Sequence, residues 1–182
     1  MVKTEFLLGL TSLMAETMGS TQVPHVQERI GEIIVNLEMM KACVRAAEAD
    51  AKLNEWGVMC PAFGPLTAAR AMFSGTMYPR MAEIIQLLGS SSLMGLPSEA
   101  DFTAEIAPEL EKYLATDSTD ARDRVRLFHL AWDVACSAFG GRQTLYERFF
   151  GGDPVRNTML LYQGYNKSPA MDRVQRFLER EG

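Results

Sequence analysis

The sequence has little cysteine and little histidine, and their positions argue against the common metal and disulfide frameworks. Cys43, Cys60 and Cys136 lie far apart, and none belongs to a C-x-x-C pair or stands near a histidine at ligand spacing. Zinc sites and disulfide scaffolds of small domains require closely patterned residues of these types. The sequence therefore predicts no metal site, and a reducing cytoplasm is the compartment that fits this cysteine usage.

Long apolar runs and blocks of positive charge are also lacking. No window approaches the roughly 20 apolar residues that a membrane-spanning helix requires. The apolar stretch near the amino terminus contains Glu5, ends at Glu16 and has no small-residue cleavage site after it, which favours a core helix over a signal peptide. The formal net charge is -5 and basic residues alternate with acidic ones, so we expect no membrane and no nucleic-acid partner.

The size and the apolar periodicity predict one all-α domain that covers residues 1–182. A chain of 182 residues, 47% of them hydrophobic, can bury one core and is short for two ordinary domains. The first helix is predicted from Val2 to Met18 and the second from Pro24 onward. The second carries apolar residues at three-and-four spacing: Val26, Ile30, Ile33, Leu37, Met40 and Val44. Their short connection makes them antiparallel neighbours in a helical bundle.

Glycine and proline divide the rest of the chain. Loops are predicted at 54–65, 89–98, 140–141 and 151–154, with helices near 66–73, 79–88, 120–139, 155–162 and 170–178 and a further helical segment through 145–150. No stretch alternates as a strand does. Trp56, Phe63 and Tyr78 lie near the first of these loops. They are candidates for the wall of an aromatic pocket, or for packing against other domains.

Phe139-Gly140-Gly141-Arg142 is the sharpest candidate site. A glycine break before a helix lets backbone N–H groups approach an anion, and the Arg142 guanidinium can add two donors. Two other interpretations stay open, because the glycines can simply turn the chain and Arg142 can pair with Glu147. Arg148 and Arg156 could extend this anion site or pair on the surface with Glu147 and Asp153, and we expect the surface pairs. No catalytic residue is predicted, because neither His25 nor His129 has a partner at fixed spacing.

Several segments resemble one family in the same order along the chain. Residues 133–156, which read DVACSAFGGRQTLYERFFGGDPVR, resemble the carboxyl-terminal end of the 4-hydroxyphenylacetate 3-hydroxylase family. Shorter matches are PHVQE at 24–28, MKACVRAAEAD at 40–50, NEWGVM at 54–59 and MYPRMAEIIQLLGS at 77–90. The resemblance therefore extends over nearly the whole chain.

The resemblance implies a function that the residues alone do not reveal. It implies the helical C-terminal domain, similar to that of acyl-CoA dehydrogenases, of a monooxygenase that hydroxylates a phenolic substrate such as 4-hydroxyphenylacetate. Reduced FAD would come from a separate flavin reductase, and Phe139, Gly140, Gly141 and Arg142 would contact the FAD in a homotetramer. The family's N-terminal helical and middle β-domains do not match this sequence. We therefore expect an excised domain, a truncation or a split subunit that is inactive alone.

Two alternative functions remain at this stage. The chain could act only as a helical assembly module, and its twelve methionines suit adaptable helix–helix or subunit contacts. It could also be a relative of 4-hydroxybutyryl-CoA dehydratase, whose iron–sulfur cluster is held by cysteine and histidine. The three cysteines, His25 and His129 show no such spacing, which disfavours the dehydratase.

Overall fold

The computed structural model describes residues 1–179 and confirms the all-α class. Within these residues the α-helices are α1 (Val2–Thr17), α2 (Pro24–Ala49), α3 (Phe63–Met72), α4 (Tyr78–Gly89), α5 (Ser91–Met94), α6 (Ala107–Leu114), α7 (Ala121–Ala135), α8 (Ala138–Phe149), α9 (Pro154–Gly164) and α10 (Ser168–Leu178). None of these helices has the length and apolar character needed to span a bilayer.

The first two helices form where their sequence signals predict. α1 ends at Thr17, and Gly19 follows in the left-handed region with φ +63°, where glycine is preferred. α2 begins with Pro24, which needs no backbone donor in the first turn. The helical spacing of Phe6, Leu10, Leu13 and Thr17 predicts the buried face of α1, and this prediction was partly wrong. Phe6 and Leu13 are half exposed, while Leu7, Leu10 and Met14 are buried, so the helix is rotated relative to the predicted stripe.

α3 and α4 are continuous, whereas the sequence predicted two separate helices. One π-helical turn, Phe73–Met77, joins them. Ser74 Oγ donates to Arg70 O at 2.9 Å and Thr76 Oγ1 donates to Met72 O at 3.1 Å, so side chains satisfy backbone acceptors where the regular ladder changes. The polar and glycine residues that indicated a break therefore mark a change of helical register.

A small hairpin replaces part of the loop predicted at 54–65. β1 (Lys52–Leu53) pairs antiparallel with β2 (Met59–Cys60), although the sequence predicted no strand. Asn54 Oδ1 accepts from Trp56 N at 3.0 Å and from Val58 N at 2.9 Å, which closes the turn. Two-residue strands are too short to show alternation. Trp56 in its turn is 78% exposed.

α4 lies at the centre of the main hydrophobic core. The cluster takes residues from α1, α2, α4, α5 and α7 and from the π turn: Leu7, Leu10, Met14, Ile33, Met40, Met77, Tyr78, Met81, Ile84, Ile85, Leu93, Phe128 and Ala131. A smaller cluster of Phe102, Ala121 and Val125 fixes α6 and the preceding 3₁₀ turn (Asp101–Thr103) on α7. Residues 99–119, for which no helix was predicted, thus form a satellite of the bundle.

An ion pair links α2 to α4 beside this core. Arg80 Nε lies 3.0 Å from Glu32 Oε1 and Arg80 Nη2 lies 3.0 Å from Glu32 Oε2, while Nη1 lies 2.8 Å from Glu83 Oε2. Hydrogen bonding to Glu32, and then to Glu83, raises the pKa of Arg80 above its usual value. Because the two contacts to Glu32 are bidentate and join distant segments, this pair fixes geometry better than a pair along one helix surface.

We expect Arg80→Ala to lower the free energy of unfolding by about 1 kcal/mol, since the interhelix pair is only partly shielded from solvent. Arg126→Ala is the matched control, because Arg126 pairs with Asp123 on one exposed helix surface. Its expected effect is below about 0.5 kcal/mol. Urea unfolding of both variants measures the difference, and equal losses would contradict a special role for the α2–α4 pair.

Candidate functional site

The break between α7 and α8 lies earlier than the sequence predicted. α7 ends at Ala135, Cys136 and Ser137 make the connection, and α8 begins at Ala138. Ser137 Oγ accepts from Gly140 N at 3.0 Å and donates to Asp133 O at 2.7 Å. The expectation that Gly140 and Gly141 separate two helices was therefore wrong, because a serine N-cap starts the helix before them.

Gly140 is required by close packing of the two helix ends. A Cβ atom at this position would lie 2.5 Å from Val134 O and 2.8 Å from Asp133 O, both backbone atoms that cannot rotate away. A Cβ atom at Gly141 would meet nothing within 4 Å. Gly140 thus lets α8 begin directly against the end of α7. Packing does not require a glycine at position 141.

The first turn of α8 has the features of an anion site. Phe139 and Arg142 are exposed beside the glycines. The N–H groups at the start of α8 precede the first intrahelical bond, and the positive end of the helix dipole lies there. The four predicted residues share one helical turn, but the N–H groups of Gly140 and Gly141 donate to Ser137 Oγ and Ser137 O, so the backbone donor left for an anion is that of Phe139, near the exposed Arg142. These groups have the chemistry to bind a phosphate. They stand on a capped helix start, whereas the sequence predicted a glycine turn between two helices.

The ion pairs predicted near the site are absent among residues 1–179. Glu147, the predicted alternative partner of Arg142, binds Lys3 Nζ and accepts from Gln143 Nε2 at 2.8 Å. Asp153 accepts from the N–H groups of Val155 and Arg156 and so caps α9. Arg142, Arg148 and Arg156 form no ion pair with another described residue.

The histidines and the candidate pocket residues do not form one site. His25 is exposed at the start of α2, and a ring nitrogen of His129 lies 2.9 Å from Pro97 O. Trp56, Phe63 and Tyr78, which the sequence suggested as one aromatic wall, are not brought together, since Tyr78 is buried and Trp56 is exposed on the hairpin. Among residues 1–179, no group of three potential ligands could hold a metal ion.

A small apolar pocket, missed by the sequence, adjoins the first turn of α8. Its volume is about 180 Å³, and its walls are Lys3, Phe6, Leu7, Tyr78, Val134, Phe139 and Gln143. These residues come from α1, α4, α7 and α8, so only the packing of four helices assembles the pocket. The one sequence signal was the register of α4, which places Tyr78 on the same face as Met81, Ile84 and Ile85.

The carboxyl-terminal helices expose many apolar side chains. The C-terminal surface, as we call it, consists of about half-exposed or more exposed apolar residues of α8, α9 and α10 and of Phe150, which follows α8: Leu145, Tyr146, Phe149, Phe150, Val155, Met159, Tyr162, Met171, Val174, Phe177 and Leu178. α10 contributes no buried residue to the described chain. Apolar surface of this extent on a folded domain is typical of an interface.

Comparison with known proteins gives one consistent result. The family described as 4-hydroxyphenylacetate 3-hydroxylase C terminal matches residues 1–179. The oxygenase component of 4-hydroxyphenylacetate 3-monooxygenase from Thermus thermophilus is 49% identical over 177 residues, covering 97% of this chain and 37% of the relative. A probable 4-hydroxyphenylacetate 3-monooxygenase from Bacillus subtilis is 43% identical over 181 residues, again covering 37% of its length. The chain thus spans little more than a third of these relatives.

Solved structures agree with the sequence comparison. The crystal structure of an HpaB oxygenase component complexed with FAD and 4-hydroxyphenylacetate superimposes with a TM-score of 0.92 at 49% identity, covering 98% of this chain and 37% of that one. An archaeal 4-hydroxybutyryl-CoA dehydratase from N. maritimus has a TM-score of 0.82 at 21% identity. The second likeness is one of fold, and it agrees with the predicted bundle of the acyl-CoA dehydrogenase type.

The two glycines of α8 provide a matched pair of substitutions. We expect Gly140→Ala to lower the free energy of unfolding by about 1–3 kcal/mol or more, because the new methyl group would collide with backbone oxygens. Gly141→Ala should instead stabilise the chain by about 0.5–1 kcal/mol, since alanine is the better helix former in open space. Thermal and urea unfolding measure both, and a tolerated Gly140→Ala would contradict the close approach of α7 and α8.

Proposed function

The chain belongs to the 4-hydroxyphenylacetate 3-hydroxylase C-terminal family, and from this premise we propose that it is the flavin-binding and oligomerisation part of an FAD-dependent aromatic monooxygenase. The first turn of α8 carries the proposal. There the backbone N–H of Phe139, the open space beside Gly141 and the exposed Arg142 lie within one turn at the positive end of a helix. These groups fit the pyrophosphate of FAD.

The residues of this chain bind and orient the cofactor in the proposed function. Bound reduced flavin would supply the oxygen-activating chemistry. Arg142 and the N–H groups of α8 would hold its phosphates, and Gly140 would keep that turn rigid against α7. The helical core behind the turn would help to keep water from the reaction site. No residue of the chain is assigned a proton-transfer step.

The substrate class and the partners follow from the relatives. Oxygenase components of 4-hydroxyphenylacetate 3-monooxygenase are 49% and 43–47% identical to this chain, and a solved one holds both FAD and 4-hydroxyphenylacetate. A phenol is therefore the proposed substrate, and a separate flavin reductase the proposed source of reduced FAD. Cytoplasmic location belongs to the proposal, supported by the free thiols of Cys43, Cys60 and Cys136.

A homotetramer is proposed as the assembled form. The C-terminal surface is too apolar for a stable water-facing surface, and α10 has no buried residue of its own. Closed symmetric assemblies are the usual way in which copies of one chain cover such a surface. The same observation favours the second candidate function, an assembly module without turnover, for which flavin binding would be absent.

Arg142→Ala is expected to weaken FAD binding about ten- to a hundredfold, the value of one charge-assisted hydrogen bond. The chain supplies only 37% of its Thermus relative, so the test uses a chimera in which residues 1–182 replace the matching region of that relative. Fluorescence titration with FAD measures the affinity. Arg148→Ala, near the opposite end of α8, is the control and should leave the affinity unchanged.

Thermal unfolding of the same variants without FAD separates binding from folding. Arg142 forms no ion pair with another residue in 1–179, so its removal should change the melting temperature by no more than about 2 °C. Unchanged FAD affinity together with a lowered melting temperature would refute the assignment, and would indicate that Arg142 serves the fold.

The 182-residue chain is expected to self-associate at micromolar concentration, with a light-scattering mass near four times 20.2 kDa. A double substitution, Val174→Glu with Phe177→Glu, should reduce that mass, because it places charge on the apolar face of α10. Arg173→Glu on the same helix is the matched control, since it changes charge without changing that face. A monomeric mass for the unsubstituted chain would exclude self-association.

A further inference from the structure

The helix α9 is attached to the bundle through a buried polar residue. Asn157 is 4% exposed, and it is the one residue of α9 that is buried against the described chain. A surface helix normally packs on its core through a stripe of apolar side chains. The apolar residues that α9 contributes to the C-terminal surface are instead more than half exposed: Val155, Met159 and Tyr162. The attachment of α9 therefore depends strongly on the hydrogen bonds of Asn157.

These hydrogen bonds converge on the turn between α8 and α9. Asn157 Nδ2 donates to Gly151 O at 3.3 Å and to Gly152 O at 3.2 Å. Arg70 of α3 donates from Nη2 to the same Gly151 O. The turn is thus held from two sides, by the helix that follows it and by a helix that is distant in the sequence.

The turn has conformational freedom that these bonds remove. Gly152 has φ +96°, a region open to glycine, and a Cβ atom there would lie 3.1 Å from Asn157 Oδ1. Two adjacent glycines can adopt several backbone arrangements, and each arrangement would send α9 in a different direction. Because hydrogen bonds are directional and apolar contacts are not, Asn157 and Arg70 can select one of these arrangements.

Close contacts at both ends of α9 define the arrangement that is selected. At its start, Pro154 packs on the π turn, where a Cβ atom at Gly75 would lie 3.4 Å from Pro154 Cβ. At its end, a Cβ atom at Gly164 would lie 2.9 Å from Phe63 Cε1. Since Phe63 begins α3 and Gly75 follows its end, α9 runs antiparallel to α3. This orientation determines which side of α9 belongs to the C-terminal surface.

We propose that Asn157, together with Arg70, is a positioning residue that fixes the orientation of α9 and so gives the C-terminal surface the one shape in which copies of the chain assemble. A buried asparagine has a comparable role in coiled coils, where it specifies the register and the number of strands. The orientation of α9 is a property of the single chain. Only the consequence for assembly rests on the proposed self-association.

Asn157→Leu tests the role of the amide, because leucine has the same number and branching of side-chain heavy atoms. We expect the amide resonances of α9 to double or broaden, since an apolar side chain permits more than one orientation. The melting temperature should stay within about 4 °C, because an apolar replacement of a buried polar group is often nearly neutral. Relaxation-optimised NMR, which tolerates an assembly of several copies, measures the resonances of the 182-residue chain.

Thr158→Val is the matched control on the same helix. It removes a hydroxyl group that donates to Pro154 O at 2.9 Å within α9 and does not contact Gly151 or Gly152. This variant should retain one set of α9 resonances and the mass of the unsubstituted chain. Light scattering after size separation gives that mass, and Asn157→Leu should show a mixture of masses in place of a single one.

Arg70→Met keeps the experiment decisive if Asn157→Leu does not fold. Arg70 is exposed, so the substitution removes a donor to the turn without opening a cavity, and it should also double the α9 resonances. A single sharp set of α9 resonances in every variant that folds would overturn the proposal. Doubled resonances with one unchanged mass would overturn the link to assembly. A monomeric unsubstituted chain would contradict the proposed self-association, while the resonances would still decide the role of Asn157 in orienting α9.

Discussion

Burial of α4 is the constraint on which the rest of the structure depends. Met81, Ile84 and Ile85 are fully buried, and residues from α1, α2 and α7 pack around them in the main core. Truncation of such a side chain to alanine typically costs about 2–5 kcal/mol, a large part of the net stability of a domain. Gln86 of the same helix donates to Ala135 O at 2.7 Å, so α4 also fixes the point at which α7 ends.

The geometry of the candidate site depends on where α7 ends. Ser137 caps α8 directly after α7, and Gly140 allows the helix to begin within contact distance of Val134 O. The backbone donors and Arg142 therefore stand on a rigid turn supported by the core, which is the arrangement that a binding site needs for precision. A flexible glycine loop could bring the same groups together, but it would lose more conformational entropy when an anion binds.

The two ends of the chain differ in how they are stabilised. α1 and α4 bury a continuous face inside the domain, whereas α10 buries no residue against the described chain. The C-terminal surface and the α8 turn lie close in sequence, so assembly and cofactor binding can involve neighbouring parts of one region.

The sequence by itself determined the class of fold, the family, and the limits of the elements whose signals are local. Pro24, Asp120 and Asp153 mark helix starts, and Gly19 marks a helix end, because caps and left-handed glycines act within one turn of the chain. The resemblance of residues 133–156 to the family is likewise a local signal, because it can be read along one continuous segment without knowledge of contacts between distant residues.

Only the tertiary structure decided the features that depend on distant contacts. Gly140 resembled a helix break, yet its role is set by the backbone oxygens of α7, and the hairpin and the π turn are too short to produce a periodic pattern. The sequence offered Glu147 as an ion-pair partner for Arg142 or Arg148. In the structure Glu147 pairs instead with Lys3, which is far away in the sequence. Tyr78 shares a pocket with Lys3 and Phe139 because four helices meet there. Contacts of this kind depend on how the helices pack, and the sequence pattern alone does not reveal that packing.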